Sequence, residues 1–167
     1  MEKIELHFSW SSVATLGLIF WGLSTVFCST PVRVTELPDN LNTAQVLKVE
    51  ARGRPSNYHF AVTIDSPDIG CEQYANWWEV ISEDGELLYR RILAHSHVDE
   101  QPFTRNGGSI PLQPNQIAIV RVHMHPTGYS TKAQIGTVEA GFYPITLDPD
   151  FAMQVAQQQP LPTGCAY

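Results

Sequence analysis

The sequence predicts an all-β protein: an immunoglobulin-like antiparallel β-sandwich with a short C-terminal helix and a disulfide-tethered tail. From Ala44 onward, apolar and polar residues alternate with a period of two, which is the pattern of a half-buried strand. Six or seven such segments, separated by turns, follow one another within about 100 residues, as in β-sandwiches. No long helical patterns lie between them, so a parallel α/β sheet is not expected.

The composition bounds the size and the partners of the protein. The chain has 167 residues, which corresponds to one ordinary domain. Its 12 prolines and 11 glycines are scattered without a repeat, which favours short segments over a helical bundle. Ten basic and 17 acidic side chains give a net charge of −7. This charge excludes coating of nucleic acid as a main function, and no nucleic-acid partner is expected.

Residues 1–28 are predicted to be a signal peptide or a membrane anchor. The segment 11–27 carries no charge and follows a short polar stretch that contains Lys3. A short apolar region in this position is typical of export signals. The rest of the chain divides into a polar linker (29–43), the β-sandwich (44–147) and the C-terminal helix and tail (148–167). We expect an exported protein, periplasmic or secreted, that contacts a membrane only through its N-terminal segment.

The sequence leaves the fate of this segment open. Val26 and Cys28 could occupy the −3 and −1 positions of a cleavage site, although no A-x-A sequence is present. Cys28 could instead carry a lipid, but Phe27 before it is bulkier than the usual residue at that position. The uncharged run 10–29 is also about long enough to span a bilayer if it is retained.

The predicted strands are residues 46–51, 58–64, 76–81, 86–93, 116–125 and 134–142. Segment 58–64 is rich in aromatic and β-branched residues and lies between two prolines. Segments 76–81 and 86–93 are expected to pair as a hairpin, with Gly85 in the left-handed position of the turn.

Segment 116–125 is the clearest strand, and its alternation predicts two different faces. The face predicted to be buried carries Ala118, Val120, Val122 and Met124. The face predicted to be more exposed carries Arg121, His123 and His125.

A short helix is predicted near the C-terminus. Asp148 is a natural N-cap and Pro149 suits the first helical position. Phe151 and Val155 give this segment an apolar stripe, and the helix should end before Pro160.

Two cysteines remain beyond the N-terminal segment, and in an exported domain two cysteines usually pair. A bridge between Cys71 and Cys165 would close a loop of about 95 residues and fix the tail. Two separate free thiols are the alternative.

Four of the six histidines form two His-x-His pairs, His95 with His97 and His123 with His125. On a strand, residues two apart share a face, so each pair offers two imidazoles to Zn or Cu. If the two strands are neighbours, all four rings could converge on one metal ion. The alternative is a solvated histidine face, which the neighbouring Arg121 favours.

A second candidate site consists of Arg91, Arg105, Arg121 and Trp77. Arginine forks bind carboxylate and phosphate groups. Trp77 and Trp78 are adjacent, so on a strand one of them should be partly exposed and could stack on a sugar ring. The alternative is that Arg91 and Arg121 pair across strands with Glu79, Asp99 or Glu100.

Two glycine-containing segments, 106–108 and 127–129, are expected to be loops. Neither follows a strand-to-helix turn, so neither is a phosphate-binding loop. No serine has the context of a nucleophile elbow.

The stretch CEQYANWWEVISEDGELLYRRILAHSHVDEQPFT, residues 71–104, resembles a family of small exported bacterial proteins of uncharacterised function. The ending PLPTGCAY is similar to the end of that family. The resemblance covers most of the chain after the N-terminal segment. It implies an exported domain with a terminal cysteine, and it implies no activity, cofactor or catalytic residue.

These observations favour a non-catalytic exported module of the cell envelope with a binding or structural role. Binding of Zn or Cu through the two histidine pairs is the specific hypothesis. Glycan or anion binding through arginine and tryptophan is the alternative, and a small metal-dependent enzyme comes third. The expected partner is an envelope component or a small ligand.

Overall fold

The computed structural model describes residues 42–166, which form nine β-strands and one short 3-10 helix. The strands are β1 (Gln45–Arg54), β2 (Asn57–Asp65), β3 (Tyr74–Ser82), β4 (Leu87–Ile92), β5 (Phe103–Ile110), β6 (Ala118–His125), β7 (Gly128–Tyr129), β8 (Lys132–Thr137) and β9 (Gly141–Thr146), and the 3-10 helix is Met153–Gln157.

The strands form two antiparallel sheets. The smaller sheet has the order β1-β2-β5, and the larger has the order β4-β3-β6-β8-β9, with β7 paired to β6. One apolar core joins Phe60 and Val62 of β2 to Trp78 and Val80 of β3 and Val120 of β6, so the sheets face each other across it. The predicted all-β antiparallel class is confirmed. The immunoglobulin-like assignment stays a prediction.

β2 has the alternation of a strand with one face in the core. Tyr58, Phe60, Val62 and Ile64 are buried, and His59 between them is exposed. The period of two in the sequence therefore reports the core face of this strand correctly.

β3 is covered on both faces. All residues in 74–81 are buried, although neighbouring side chains on a strand point in opposite directions. On the face away from the main core, Ile81 packs in a second apolar cluster with Ile119, Ala152 and Val155. The C-terminal segment therefore lies over the outer face of β3 and β6.

The predicted hairpin of β3 and β4 is confirmed. The two strands pair antiparallel, and Gly85 in their connection has a φ of +81°, in the left-handed region that favours glycine. The turn is closed by Ser82, whose carbonyl accepts a hydrogen bond from the Gly85 backbone N–H.

β5 lies where the sequence predicted a glycine loop, so that prediction for residues 106–108 is wrong. β5 pairs with β2 along its length. A Cβ atom on Gly107 would lie 2.6 Å from Cζ2 of Trp78. The glycine lets the strand pass directly over the indole, which is a packing reason for glycine inside a strand.

The predictions for residues 127–129 and 134–142 also need correction. Gly128 and Tyr129 form β7, which pairs with β6. Residues 134–142 are not one strand, because a turn separates β8 from β9, and these two strands pair with each other. The turn places Gly141 at a φ of +85° and is closed by Thr137, whose Oγ1 accepts from the Ala140 N–H at 3.0 Å.

The C-terminal helix exists but is shorter than predicted. It is a five-residue 3-10 helix that begins at Met153, and the predicted start at Asp148 is wrong. The Asp148 carboxylate instead accepts a hydrogen bond from the Asp150 N–H at 2.8 Å, which forms a local turn. This is the usual alternative use of an aspartate that could also cap a helix.

The predicted disulfide is confirmed. Cys71 and Cys165 are bonded across 94 positions of the sequence. The Ala166 N–H donates to the carbonyl of Ala94, so the end of the tail is also held by a backbone hydrogen bond.

The predicted signal or anchor segment, 1–28, and most of the linker, 29–43, lie outside the described residues. At the start of the described part, the Asn42 side chain donates to Gln73 at 3.1 Å. The Asn42 carbonyl accepts from the hydroxyl of Thr127 at 3.2 Å. Within residues 42–166, no helix is both long enough and apolar enough to cross a membrane.

Candidate functional site

Glu79 is the centre of a buried charged cluster on the outer face of the larger sheet. Its side chain is fully buried. One carboxylate oxygen, Oε2, accepts from Arg90 at 2.6 and 2.9 Å and from the Trp77 indole at 3.1 Å. The other, Oε1, accepts from Arg121 at 2.9 Å. Both carboxylate oxygens therefore have partners, as a buried charge requires.

The two arginines bind the C-terminal segment with their remaining N–H groups. Arg90 donates to the carbonyls of Val155 at 2.7 Å and Gln158 at 2.6 Å. Arg121 donates to the carbonyls of Phe151 and Ala152, both at 2.8 Å. The 3-10 helix in the segment 151–158 is only five residues long, so carbonyls at and beside its ends need partners outside it, and the guanidinium groups supply them.

Trp77 is buried, and only 4% of its surface is exposed. The His123 ring stacks on it with ring centres 3.7 Å apart, and the Arg90 guanidinium lies 4.5 Å from the ring centre. The prediction that one of the two adjacent tryptophans is partly exposed is wrong, because Trp78 is buried in the core and Trp77 is buried beneath Arg90 and His123.

The same surroundings change the titration of two side chains. Burial, together with the positive charges of Arg90 and Arg121, lowers the pKa of His123 to about 3. Burial and the Glu79 carboxylate raise the pKa of Tyr129 to about 12. Both rings are therefore neutral near pH 7 beside a charged cluster.

The predicted core face of β6 is confirmed, and the predicted exposed face is partly wrong. The buried set of Ala118, Val120, Val122 and Met124 is as expected. His125 is exposed and His123 half-buried, but Arg121 is only 2% exposed. Its burial follows from the C-terminal segment that covers it, which the pattern of β6 alone does not reveal.

The predicted arginine and tryptophan site does not come together. Arg121 and Trp77 lie under the C-terminal segment. Arg105 lies on β5 in the other sheet and pairs with Glu100 at 2.7 Å. Arg91 donates to the carbonyl of Asn106. The alternative of cross-strand pairing is confirmed for Arg121, which faces Glu79 in the register of β3 and β6.

The two histidine pairs also lie apart in the fold. β4 ends at Ile92, so His95 and His97 lie in the loop that follows it, and the expectation that they lie on a strand is wrong. β3 lies between β4 and the strand that carries His123 and His125. Within residues 42–166, no three His, Cys, Asp or Glu side chains are placed to hold one metal ion. The expected convergence of four rings is therefore not found.

Asp68 organises the loop that carries His95 and His97. It is 7% exposed. Its Oδ1 accepts from the Ser66 hydroxyl at 2.7 Å and from the Ala75 N–H at 2.9 Å, and its Oδ2 accepts from the His97 backbone N–H at 2.8 Å. Gln101 completes the network by donating to the His97 carbonyl at 3.0 Å. One carboxylate thus connects the loop before β3 to the loop after β4.

His97 is buried within this network. Its ring stacks on Phe103 with centres 3.8 Å apart, and its Nδ1 lies 3.8 Å from Oδ2 of Asp68. Neither ring nitrogen has a hydrogen-bond partner among the described residues. Burial, with the positive charge of Arg105, lowers the pKa of His97 to about 4.

The His95–His97 loop borders a surface groove of about 400 Å³ beside the disulfide. The groove is lined by Gly70, Cys71, His95, Ser96, His97, Val98, Asp99, Glu100 and Ala166. His95 is exposed, and its ring centre lies 4.5 Å from that of His97. The groove therefore brings together an accessible imidazole and a buried one.

Sequence reasoning did not identify Asp68 or the central role of Glu79. Glu79 carried a signal, because it is a single carboxylate within the otherwise apolar and aromatic segment 77–81. Nothing in the sequence marked Asp68 as a functional residue, because an aspartate after a proline in a turn is common.

The fold and these sites define a disulfide-linked antiparallel β-protein with a buried carboxylate–arginine cluster. The chain is 34% identical over 100 residues to a protein of Halomicrobium mukohataei that is named "Putative lipoprotein". The matched region is 60% of this chain and 48% of the relative, so the chain spans about half the length of that relative. No protein-family model matches the sequence, and no solved structure matches it.

Proposed function

We propose that this protein is an exported, non-catalytic module of the cell envelope, with a binding or structural role, and that a lipid on Cys28 tethers it to a membrane. The observation that carries the proposal is the Cys71–Cys165 disulfide. Disulfides persist in the oxidising compartments outside the cytoplasm and are rare inside it. The uncharged segment 11–27 supplies the apolar region of an export signal.

The name of the Halomicrobium relative supports the lipid tether, because it describes that protein as a lipoprotein. Cys28 follows the apolar segment directly, which is where a lipid-bearing cysteine would lie. The remaining cysteines, Cys71 and Cys165, are joined to each other and have no free thiol.

The Glu79 cluster supports a non-catalytic role. Glu79 is bound by Arg90, Arg121 and Trp77, and the arginines are bound in turn to backbone carbonyls. These charged groups hold the C-terminal segment on the sheet. Trp77 and Trp78 are both buried, so neither offers a stacking surface for a glycan.

Expression of the full chain in a bacterial host, followed by fractionation and fatty-acid labelling, tests both parts of the proposal. We expect the protein in the membrane fraction, labelled and with an intact disulfide. Cys28→Ser should remove the label and release the protein from the membrane fraction, whereas the matched control Cys71→Ser should keep the label. Reduced protein in the cytoplasm would overturn export, and a label that persists in Cys28→Ser would overturn the lipid tether.

A further inference from the structure

We propose that a groove on the outer face of the smaller sheet binds a sugar acid, with the carboxylate of the ligand on Arg52 and His59 and its hydroxyl groups on Glu50 and Asn106. The inference rests on the binding role proposed above and gives that role a ligand class. It is tested on purified protein, so its failure would leave export and the lipid tether untouched.

The first observation is the groove itself. Its volume is about 380 Å³. Pockets for small ligands typically measure about 300–1,000 Å³, so one sugar ring fits. The lining consists of Glu50, Arg52, His59, Phe60, Ala61 and Asn106. These residues belong to β1, β2 and β5, so strand pairing sets the positions from which they approach a ligand.

The second observation is the position of Arg52 relative to His59. The two residues face each other directly in the register of β1 and β2, and both are exposed. Side chains at such positions have Cβ atoms about 4.5–5.5 Å apart. Neither side chain has a hydrogen bond or an ion pair within residues 42–166. A carboxylate between them would accept from the guanidinium fork and from the imidazole, and would satisfy both.

The third observation is the support behind His59. A Cβ atom on Gly108 would lie 2.6 Å from Nδ1 and 2.9 Å from Cγ of His59. The glycine therefore lets the imidazole lie against the backbone of β5. This contact restricts the ring before any ligand binds, and a restricted side chain loses less conformational entropy on binding.

The fourth observation is the pair of hydrogen-bond acceptors in the same groove. Glu50 is exposed, and its Oε1 lies 3.2 Å from Nζ of Lys48. Asn106 lies opposite Ala61 in the register of β5 and β2 and is also exposed. Carboxylate and amide oxygens accept hydrogen bonds from hydroxyl groups, which a sugar supplies and a bare anion does not.

Glu50 also favours a carboxylate over a phosphate as the anionic group of the ligand. A phosphate monoester carries a charge of about −1.5 to −2 near pH 7, whereas a carboxylate carries a single charge. Repulsion by the Glu50 side chain is therefore weaker for a sugar acid than for a sugar phosphate.

The charge of this surface differs from that of the whole chain. The chain has a net charge of −7, but the exposed residues at alternate positions of β1 are three basic side chains and one acidic side chain: Lys48, Glu50, Arg52 and Arg54. Arg54 lies two positions from Arg52 on the same strand and does not line the groove. It therefore provides a matched control, because its removal changes the charge of the surface without removing a donor from the site.

The test is calorimetric titration of the purified, disulfide-bonded full chain with glucuronate, glucose and inorganic phosphate at constant ionic strength. We expect one glucuronate per chain, weaker binding of phosphate and no binding of glucose. Arg52→Ala should raise the Kd for glucuronate at least about 10-fold, which is the size of effect expected from hydrogen bonds to a charged group. Arg54→Ala should change it less than about 2-fold, because salt screens an exposed charge that does not touch the ligand.

Arg52→Lys and His59→Ala are further variants of the site. Lysine keeps the charge but lacks the planar fork, so Arg52→Lys should still weaken binding. All of these positions are exposed, and the variants should keep the wild-type circular dichroism spectrum. The absence of glucuronate binding by the wild type would overturn the proposal. Equal losses in Arg52→Ala and Arg54→Ala would overturn it as well, since they would indicate attraction to general surface charge. Tighter binding of phosphate than of glucuronate would overturn the ligand class.

Discussion

Arg121 and Glu79 form an ion pair that is buried between the larger sheet and the C-terminal segment. Nε of Arg121 lies 2.9 Å from Oε1 of Glu79, and the two side chains are 2% and 0% exposed. The residues face each other directly in the register of β6 and β3. The pair therefore joins two central strands, and the other N–H groups of Arg121 hold the backbone at residues 151 and 152.

Removal of one partner from this cluster should destabilise the protein strongly. Arg121→Ala removes one hydrogen-bond partner of the Glu79 carboxylate and takes the arginine donor away from two backbone carbonyls. We therefore expect the free energy of unfolding to fall by about 3–5 kcal/mol. Urea unfolding measures this change in the free energy of unfolding. Arg105→Ala is the control, because its pair with the exposed Glu100 should contribute less than about 1 kcal/mol. Equal losses in the two variants would contradict a special role for the buried cluster.

The disulfide should contribute to the free energy of unfolding. In the chain-entropy model, a loop of this length corresponds to about 4–5 kcal/mol as an upper value. We expect the double variant Cys71→Ala with Cys165→Ala to unfold at lower denaturant concentration. A reductant should lower the stability of the wild type and leave the double variant unchanged. If reduction left the free energy of unfolding of the wild type unchanged, the disulfide would have no stabilising role.

Acid should destabilise the protein through His97. Its pKa is lowered to about 4 in the folded protein, against about 6.5 in an unfolded chain, so the unfolded state binds the proton more tightly. The stabilising contribution is complete above about pH 6.5 and is lost as the pH falls towards 4, with a slope of up to about 1.4 kcal/mol per pH unit.

The variant His97→Gln isolates this effect, because glutamine does not titrate in that range. Chemical unfolding at several pH values between 4 and 7 should give a flatter curve for His97→Gln than for the wild type. The exposed His59 supplies the control, and His59→Gln should keep the wild-type slope. Identical slopes for the wild type and His97→Gln would contradict the lowered pKa.

Gly107→Ala should destabilise the contact between β5 and β3. The added methyl group would lie 2.6 Å from Cζ2 of Trp78 and 2.7 Å from the hydroxyl of Tyr89. Overpacking of this kind typically costs about 1–3 kcal/mol. Thermal unfolding and the tryptophan fluorescence of the folded state measure it. The neighbouring substitution Asn106→Ala, at an exposed position, should change the stability only slightly. A similar loss of stability in Gly107→Ala and Asn106→Ala would indicate that β5 is sensitive to substitution in general.

The local elements of the fold could be predicted from the sequence because their signals are local. The alternation of Tyr58, Phe60, Val62 and Ile64 marks the core face of β2, and Gly85 marks the turn between β3 and β4. The pairing of Cys71 with Cys165 followed from the small number of cysteines. Gly107 misled the prediction, because a glycine that makes room for Trp78 looks the same in the sequence as a glycine in a loop.

The sequence by itself determined the all-β class, the disulfide and the faces of β2 and β6 that meet the core, because periodicity and cysteine count are properties of the chain. Only the tertiary structure decided that Arg121 and Trp77 are buried, since the segment that covers them lies 30 or more positions away in the sequence. It also decided that the histidine pairs lie apart and that Asp68 stands behind His97. The sheet order and long-range packing set these relationships, and the alternation of residues within a single strand predicts neither of them.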